Sequence, residues 1–230
     1  MSNNVNQMFS SISANYDRLN KIISFGLDKK WRKLVASECL KDKDNIKILD
    51  AATGTAELAL SIVKLAEKQN KNVDIIGIDF NNDMLAIANE KIKRNNIKNI
   101  NLINGDILYT NFPNGEFDVV TSAFALRNVD NLKMFIEETY RILKDNGYIV
   151  FLDVAKPSAI LNKLFKFYYF YIIPMIGAKY NKNAYLYLVN SLWAFEKDKL
   201  IDILVNANFK DIKIKNLTLG AAFMLIAKKG

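Results

Sequence analysis

The residues placed to do chemistry are acids and small side chains at the ends of apolar runs. Asp50 closes the run Ile46-Lys47-Ile48-Leu49, and the small or hydroxylated residues Ala51 to Thr55 follow before a helix pattern starts. Asp79 closes VDIIGID, Asp106 lies in NGDI at the end of a third run, and a fourth, FDVVTS, leads into SAFALRN at 122–128. An acid at a strand mouth can accept hydrogen bonds from both hydroxyls of a ribose, which is the place Asp79 holds. Asp106 could accept from the exocyclic amine of adenine while the backbone N–H of Ile107 meets a ring nitrogen. The loop LDAATGTAEL, with Gly54 at its centre, lets backbone approach a ligand, and the helix after it offers free N–H groups. Each signal has a plainer alternative. The loop could be a bare strand–helix turn, and Asp79 could cap a helix, although Asn82 and Asp83 are better placed for that. Four such strand ends in succession argue for a bound nucleoside.

The charge at the first strand end says which nucleoside. GTAELA at 54–59 can be read as a degenerate dinucleotide fingerprint, but Asp50 beside a pyrophosphate would be repulsive. The same anion suits the cationic amine and sulfonium of S-adenosyl-L-methionine. The chain also lacks a second nucleotide-binding half, so S-adenosylmethionine is preferred to NAD.

These residues need a sheet to bring them together. Strand patterns at Lys47–Asp50, Val73–Asp79, Ile100–Ile103, Phe117–Ser122 and Tyr148–Val154 alternate with helix patterns at Glu57–Lys68, Asp83–Arg94 and Leu132–Leu143. That rhythm predicts an α/β fold with a mostly parallel sheet and crossover helices. Asn114-Gly115 precedes one strand, and Asp145-Asn146-Gly147 is read as capping a helix. A helix near Glu196–Val205 and strands at Ile212–Ile214 and Phe223–Ala227 suggest a terminal hairpin placing one antiparallel strand in the sheet. Residues 1–45 read as an N-terminal helical lid and 46–157 as the cofactor-binding core. Residues 158–192 form an aromatic-rich insertion and 193–230 the last helix and strands, all within one domain.

Composition narrows the chemistry. Half of the 230 residues are apolar, which suits one domain with a sizeable core. Lysine and arginine number 32 against 24 acids, a net charge of +8, with the lysines spread along the sequence rather than clustered. There is no histidine, so histidine bases, triads and metal ligands are excluded. The single cysteine, Cys39, permits no internal disulfide and reads as an inert thiol in a reducing compartment. MSNNVNQ lacks the features of a secretory signal, and no apolar stretch reaches the ~20 residues of a bilayer span. A cytoplasmic protein is expected, without bound metal and without a nucleic-acid partner, since no clustered basic strip is visible.

Beyond these readings, the sequence resembles the UbiE/MenG group of ubiquinone and menaquinone C-methyltransferases, within the class I S-adenosylmethionine-dependent methyltransferases, over nearly its whole length. NYDRLNKIISFGLDKKWRK (15–33) is similar to the group's Y-D-x-x-N…S-x-G…W stretch, DAATGTAEL to its D-x-A-x-G-T-G-D-L loop, and FALRNV (124–129) to its F-G-L-R-N-V. LKDNGYIVFLDVAKP, IIPMIG, AYLYLVNS and NLTLG also fit. The resemblance implies a Rossmann-like, seven-stranded sheet and a cofactor lined by Thr55, Asp79, Asp106, Ile107 and Ala123. Departures are Ala56 for a glycine, Glu57 for the following acid, Ala123 for a common serine, Ala125 for a glycine, and AAFMLIAKKG where a histidine-containing tail is frequent.

The implied reaction is C-methylation of a prenylated quinol, whose ring carbon beside a hydroxyl is nucleophilic, most of all when the phenol ionises. Arg127 is expected to stabilise the phenolate and Asn128 to orient the ring, with a structural salt bridge as the alternative for Arg127. Tyr16 and Asp17 follow as parts of the lid, with packing and capping as their alternative; Asp153 and Lys156 rank below them. Six of the seven residues Phe165–Tyr171 are aromatic, so no narrow helical stripe hides them. They form either a core helix or an apolar cover that touches the membrane surface transiently, with Lys163, Lys166 and Lys179 beside it; Pro174 and Lys166 argue against spanning. Two other readings stay open: a methyltransferase for another small molecule or tRNA, and a non-catalytic peripheral membrane protein keeping the fold. A homodimer also stays open.

Overall fold

The computed structural model describes residues 3–41, 43–155, 165–172, 175, 187, 190–192 and 195–230. Five parallel strands carry the core: β1 (Asn45–Ala51), β2 (Asn72–Asp79), β3 (Ile100–Asn104), β4 (Phe117–Ala123) and β5 (Leu143–Val154). β6 (Phe209–Leu217) and β7 (Ala222–Lys229) complete a seven-stranded sheet in the order β3-β2-β1-β4-β5-β7-β6. β7 runs antiparallel to both neighbours, pairing Phe151 with Leu225 on one side and Ile214 with Leu225 on the other. The expected terminal hairpin is therefore present. The strand order reverses between β1 and β4, and ligands of open α/β sheets bind at such a crevice.

Sequence pattern explains the layers. α4 (Glu57–Lys68) buries Leu58, Ala59, Ile62, Val63 and Ala66, a stripe at helical spacing. With α3 (Leu27–Cys39) and α5 (Asn82–Arg94) it covers one face of the sheet. α6 (Leu132–Ile142) and α7 (Lys197–Asn206) cover the other, where Phe117, Phe135, Phe151 and Phe223 are fully buried. Each such phenylalanine contributes roughly 1.5–3 kcal/mol by burial. Cys39 is fully buried, and burial pushes its thiol pKa upward, in keeping with an inert role.

The N-terminal run is helical as expected, in three helices, α1 (Asn3–Ile12), α2 (Tyr16–Ile23) and α3, broken by the 3₁₀ turn Ser13–Asn15 and by Phe25 and Gly26 at φ 52° and 74°. Two local expectations are corrected. The Asp145-Asn146-Gly147 turn does not cap a helix; it is looped out within β5, where pairing with β4 jumps from Phe117–Leu143 to Val119–Tyr148. The cap of α5 is Asn81, whose side chain accepts from the N–H of Met84 at 2.9 Å, and not Asn82 or Asp83.

Most of the insertion at 158–192 falls outside the described residues, including Lys163, Pro174 and Lys179, and so does Lys156. Within it, Tyr168–Ile172 forms a π-type turn. Phe167, Phe170, Tyr171 and Met175 are exposed, and Tyr168 stacks on Phe25 at 4.6 Å. Among the described residues no helix is long and apolar enough to cross a membrane.

Candidate active site

The loop after β1 takes its shape from left-handed backbone at alternate positions: Ala52 (φ 55°), Gly54 (φ 55°) and Ala56 (φ 61°). Such a chain curls tightly, and only small side chains fit it without heavy strain. A Cβ built on Gly54 would meet no protein atom within 4 Å, so open space lies directly over the loop. That space belongs to two adjoining cavities of about 390 and 330 Å³, which share Tyr16, Ala52, Gly54, Ala123 and Phe124 in their walls.

Asp79 organises the first cavity. It is 5% exposed; its Oδ2 accepts from the Gly54 N–H at 2.8 Å and its Oδ1 from the Asn81 N–H at 2.9 Å. A carboxylate has about four acceptor positions, so capacity for sugar hydroxyls remains. Burial pushes its pKa up, against the pull of these backbone donors. Asp50 lies in the wall of the second cavity, fully buried, with Oδ2 accepting from the Thr53 hydroxyl at 2.6 Å. Burial drives its pKa to about 7; the Thr53 bond pulls the other way. Arg32 shares that wall, its guanidinium paired with Asp28 and lying 5.1 Å above the ring of Phe124. An acid and a guanidinium together suit a zwitterionic amino-acid group.

The N-terminal helices close over the loop. The Thr55 hydroxyl donates to Asp17 Oδ1 at 2.6 Å, and Lys91 pairs with both Asp17 and Glu57. The Asn81 amide donates to Asn6 Oδ1 at 2.6 Å and to the Ser10 hydroxyl at 3.0 Å, and Phe9 and Met84 line the first cavity.

Beyond β4, the 3₁₀ turn Leu126–Asn128 presents the substrate-side candidates. Asn128 lines the first cavity, is 5% exposed, and its Oδ1 has no hydrogen-bond partner. Arg127 lines neither cavity. Its Nη1 is bonded to Asp153, itself fully buried, and donates to the Phe124 carbonyl at 3.0 Å, while its Nε is buried without a partner. The structural alternative for Arg127 thus has a definite partner, and Asp153 acts through it. Even so, the Arg127 charge is felt at the phenols of Tyr16 and Tyr187, lowering both against the dominant upward push of burial.

Sequence reasoning brought Asp50, Gly54, Thr55, Asp79, Ala123, Asn128 and Tyr16 to one place. Asp106 and Ile107 line neither cavity: Asp106 Oδ1 accepts from the Leu108 N–H at 3.0 Å and Ile107 is buried. Arg32, Asn81, Phe9 and Asn20 were missed. Asn20 lies one helical turn after Tyr16 on α2, and its Nδ2 is buried without a hydrogen-bond partner. The signal was available, since Tyr16 and Asn20 are four apart on α2 and share a helix face.

The chain matches the ubiE/COQ5 methyltransferase family over residues 1–229. It is 35% identical over 229 residues to a demethylmenaquinone methyltransferase of Staphylococcus saprophyticus, covering 98% of this chain and 96% of that one. It is 34% identical over 229 residues to a ubiquinone/menaquinone biosynthesis C-methyltransferase UbiE of Geotalea daltonii, covering 98% of this chain and 96% of the relative. A solved phosphoethanolamine N-methyltransferase 2 of Haemonchus contortus, in complex with S-adenosyl-L-methionine, superposes with a TM-score of 0.61 at 17% identity, over 82% of this chain and 39% of that one. That likeness extends to the fold alone. With a cavity at the strand-order reversal and a family match along nearly its entire length, the chain belongs to the ubiE/COQ5 methyltransferase family.

Proposed function

We propose that this protein methylates a ring carbon of a prenylated quinol, demethylmenaquinol or its ubiquinone-pathway equivalent, with S-adenosylmethionine as donor. The donor fits the residues present. Asp79 has acceptor capacity for ribose hydroxyls, Gly54 leaves space above the loop, and Asp50 with Arg32 matches an ammonium and a carboxylate. When bound, S-adenosylmethionine supplies an electrophilic methyl group on a sulfonium.

The protein's own residues then have to hold the quinol. The observation that carries the reading is the orphaned Asn128 Oδ1 in a cavity that also contains Gly54 and Asp79. A buried acceptor without a partner costs about 1–3 kcal/mol, and a quinol O–H donating to it removes that cost and fixes the ring. Tyr16 lines both cavities, and its phenol, which burial pushes above its ordinary value, donates to the substrate oxygen. Arg127, paired with Asp153, stands in the turn next to Asn128, and its charge favours the phenolate from behind the cavity wall. As the new carbon–carbon bond forms, the ring carbon loses its proton to water, because Asp79 is the one carboxylate lining the first cavity among the described residues and its acceptors serve the ribose.

Access for a prenyl chain is supported by the exposed Phe25, Phe167, Phe170, Tyr171 and Met175, which favour transient contact with a membrane surface. The test is turnover of demethylmenaquinol in detergent by the native protein and by Asn128→Ala. Turnover should fall about tenfold or more, the value of one buried hydrogen bond to a charged or ionising group, with donor affinity unchanged. Donor binding without transfer to demethylmenaquinol would redirect the assignment to another small acceptor.

A further inference from the structure

The lysines that are dispersed in sequence converge in space. A groove of about 840 Å³ between α3, α4 and α5 is lined by Lys29, Arg32, Lys33, Lys64 and Lys91, with Leu60, Ser61 and Asn95 and, among the described residues, a single acid, Glu57. Two of the five cations are accounted for: Arg32 pairs with Asp28, and Lys91 with Asp17 and Glu57. Lys29, Lys33 and Lys64 have no ion-pair partner among the described residues. Elsewhere some lysines are matched to acids, as in Lys41–Glu38, Lys43–Asp118, Lys144–Asp118 and Lys215–Glu38, and others, such as Lys68, Lys93 and Lys98, also lack an ion-pair partner among the described residues; Lys29, Lys33 and Lys64 differ in lining one groove together. Lys29 and Lys33 are four apart on one helix, a spacing at which like charges repel, and Lys64 faces them across the groove. A concave wall of one sign concentrates field and draws in counter-ions.

We propose that this groove is a second ligand site, built for a small, multiply charged anion of the phosphate class. Three unpaired ammonium groups supply up to nine N–H donors, and Ser61 and Asn95 add neutral polar groups at the rim. A monocarboxylate brings one charge to three cations, whereas a phosphate monoester brings about 1.5–2 on one compact group at neutral pH and a pyrophosphate brings more. Arg32 and Glu57 stand in the walls of both the groove and the Asp50 cavity, so the two sites are back to back and distinct. The proposal stands apart from the methyl-transfer reading and survives its failure.

The test uses the full-length protein and inorganic pyrophosphate, titrated calorimetrically at fixed ionic strength. Saturable binding at one equivalent is expected. Lys33→Glu with Lys64→Glu should weaken it about tenfold or more, as charge-assisted bonds are lost. Lys133→Glu, on remote α6, should leave it unchanged. Lys33→Gln with Lys64→Gln serves if the reversal disturbs folding, checked by circular dichroism. Flotation with phosphatidylglycerol vesicles, against phosphatidylcholine, separates the sources. Vesicle binding competed by pyrophosphate and lost in the double variant assigns a lipid headgroup; pyrophosphate binding without vesicle retention assigns a free phosphorylated ligand. Absence of pyrophosphate binding, equal binding by the double variant, or retention of a DNA duplex alone overturns the proposal.

Discussion

The hydroxyl of Thr55 donates to Asp17 Oδ1 at 2.6 Å, and the other oxygen of Asp17 pairs with Lys91. The N-terminal helix α2 is thereby tied by one carboxylate to the loop after β1. Asp17 is about a third exposed, so the pair is worth less than a buried one. We expect Asp17→Ala to cost about 1–2 kcal/mol of lid closure, and so to speed cofactor release roughly 5–30-fold. Stopped-flow dissociation and faster amide exchange across Tyr16–Ile23 would show it. An unchanged release rate would mean that the lid is held by Asn81, Asn6 and Ser10 instead.

Asp50 gives a pH signature. Burial raises its pKa from 3.8 to about 7 in the folded protein. Between those values the folded chain holds a proton that the unfolded chain has lost, so stability falls as pH rises through that window. Above 7 the full penalty stands, about 4 kcal/mol at roughly 1.4 kcal/mol per unit. Asp50→Asn should therefore raise the melting temperature of the ligand-free protein at pH 8, by roughly 2–4 °C per kcal/mol recovered, and scarcely at all at pH 4. Pairing with an ammonium requires the carboxylate. Affinity for S-adenosylmethionine should then rise with pH up to about 7 and level off, and the asparagine variant should bind weakly and without that slope.

Gly54 distinguishes ligand space from folding space. Its φ of 55° strains any other residue, yet Ala52 and Ala56 already adopt such angles in the same loop. Gly54→Ala should fold, losing about 1–2 kcal/mol. Its Cβ meets no protein atom within 4 Å and projects where a ligand would sit. Donor affinity should drop by more than the stability does. Equal losses would argue that nothing occupies the space above the loop.

Much of this was legible because the information is local. Apolar runs marked β1, β2, β4 and β5, and Asp50 and Asp79 at the ends of the first two line the cavities at the sheet's mouth. β6 was read too short because Lys210, Lys213 and Lys215 interrupt it; as the edge strand it buries little beyond Phe209. In FNND, several residues can cap a helix, and only the end of β2 at Asp79 decides for Asn81. What stayed hidden is non-local. Lys29, Lys33 and Lys64 meet because α3 packs on α4, and Arg127 meets Asp153 because β4 and β5 are neighbours. No spacing rule encodes either encounter.

The last of these pairs alters what a mutation at Arg127 means. Arg127 and Asp153 are 8% and 0% exposed, so removing the guanidinium leaves a carboxylate buried and unpaired apart from the Val154 N–H at 2.7 Å and the Arg127 N–H at 3.4 Å. Breaking such a pair costs about 3–5 kcal/mol. Arg127→Ala should then lower the melting temperature by roughly 10 °C as well as turnover, and activity alone is ambiguous. The informative variant joins Arg127→Ala to Asp153→Asn. Neutralising the stranded acid should restore most of the stability. If the Arg127 charge helps ionise the quinol, kcat stays about tenfold or more below the native value, with KM for the donor unchanged and the pH–rate profile shifted upward, because the phenol must lose its proton unaided. If kcat returns together with the melting temperature, Arg127 serves only to hold the turn that aims Asn128, and Arg127→Lys, keeping the pair, should then be nearly as active as the native protein.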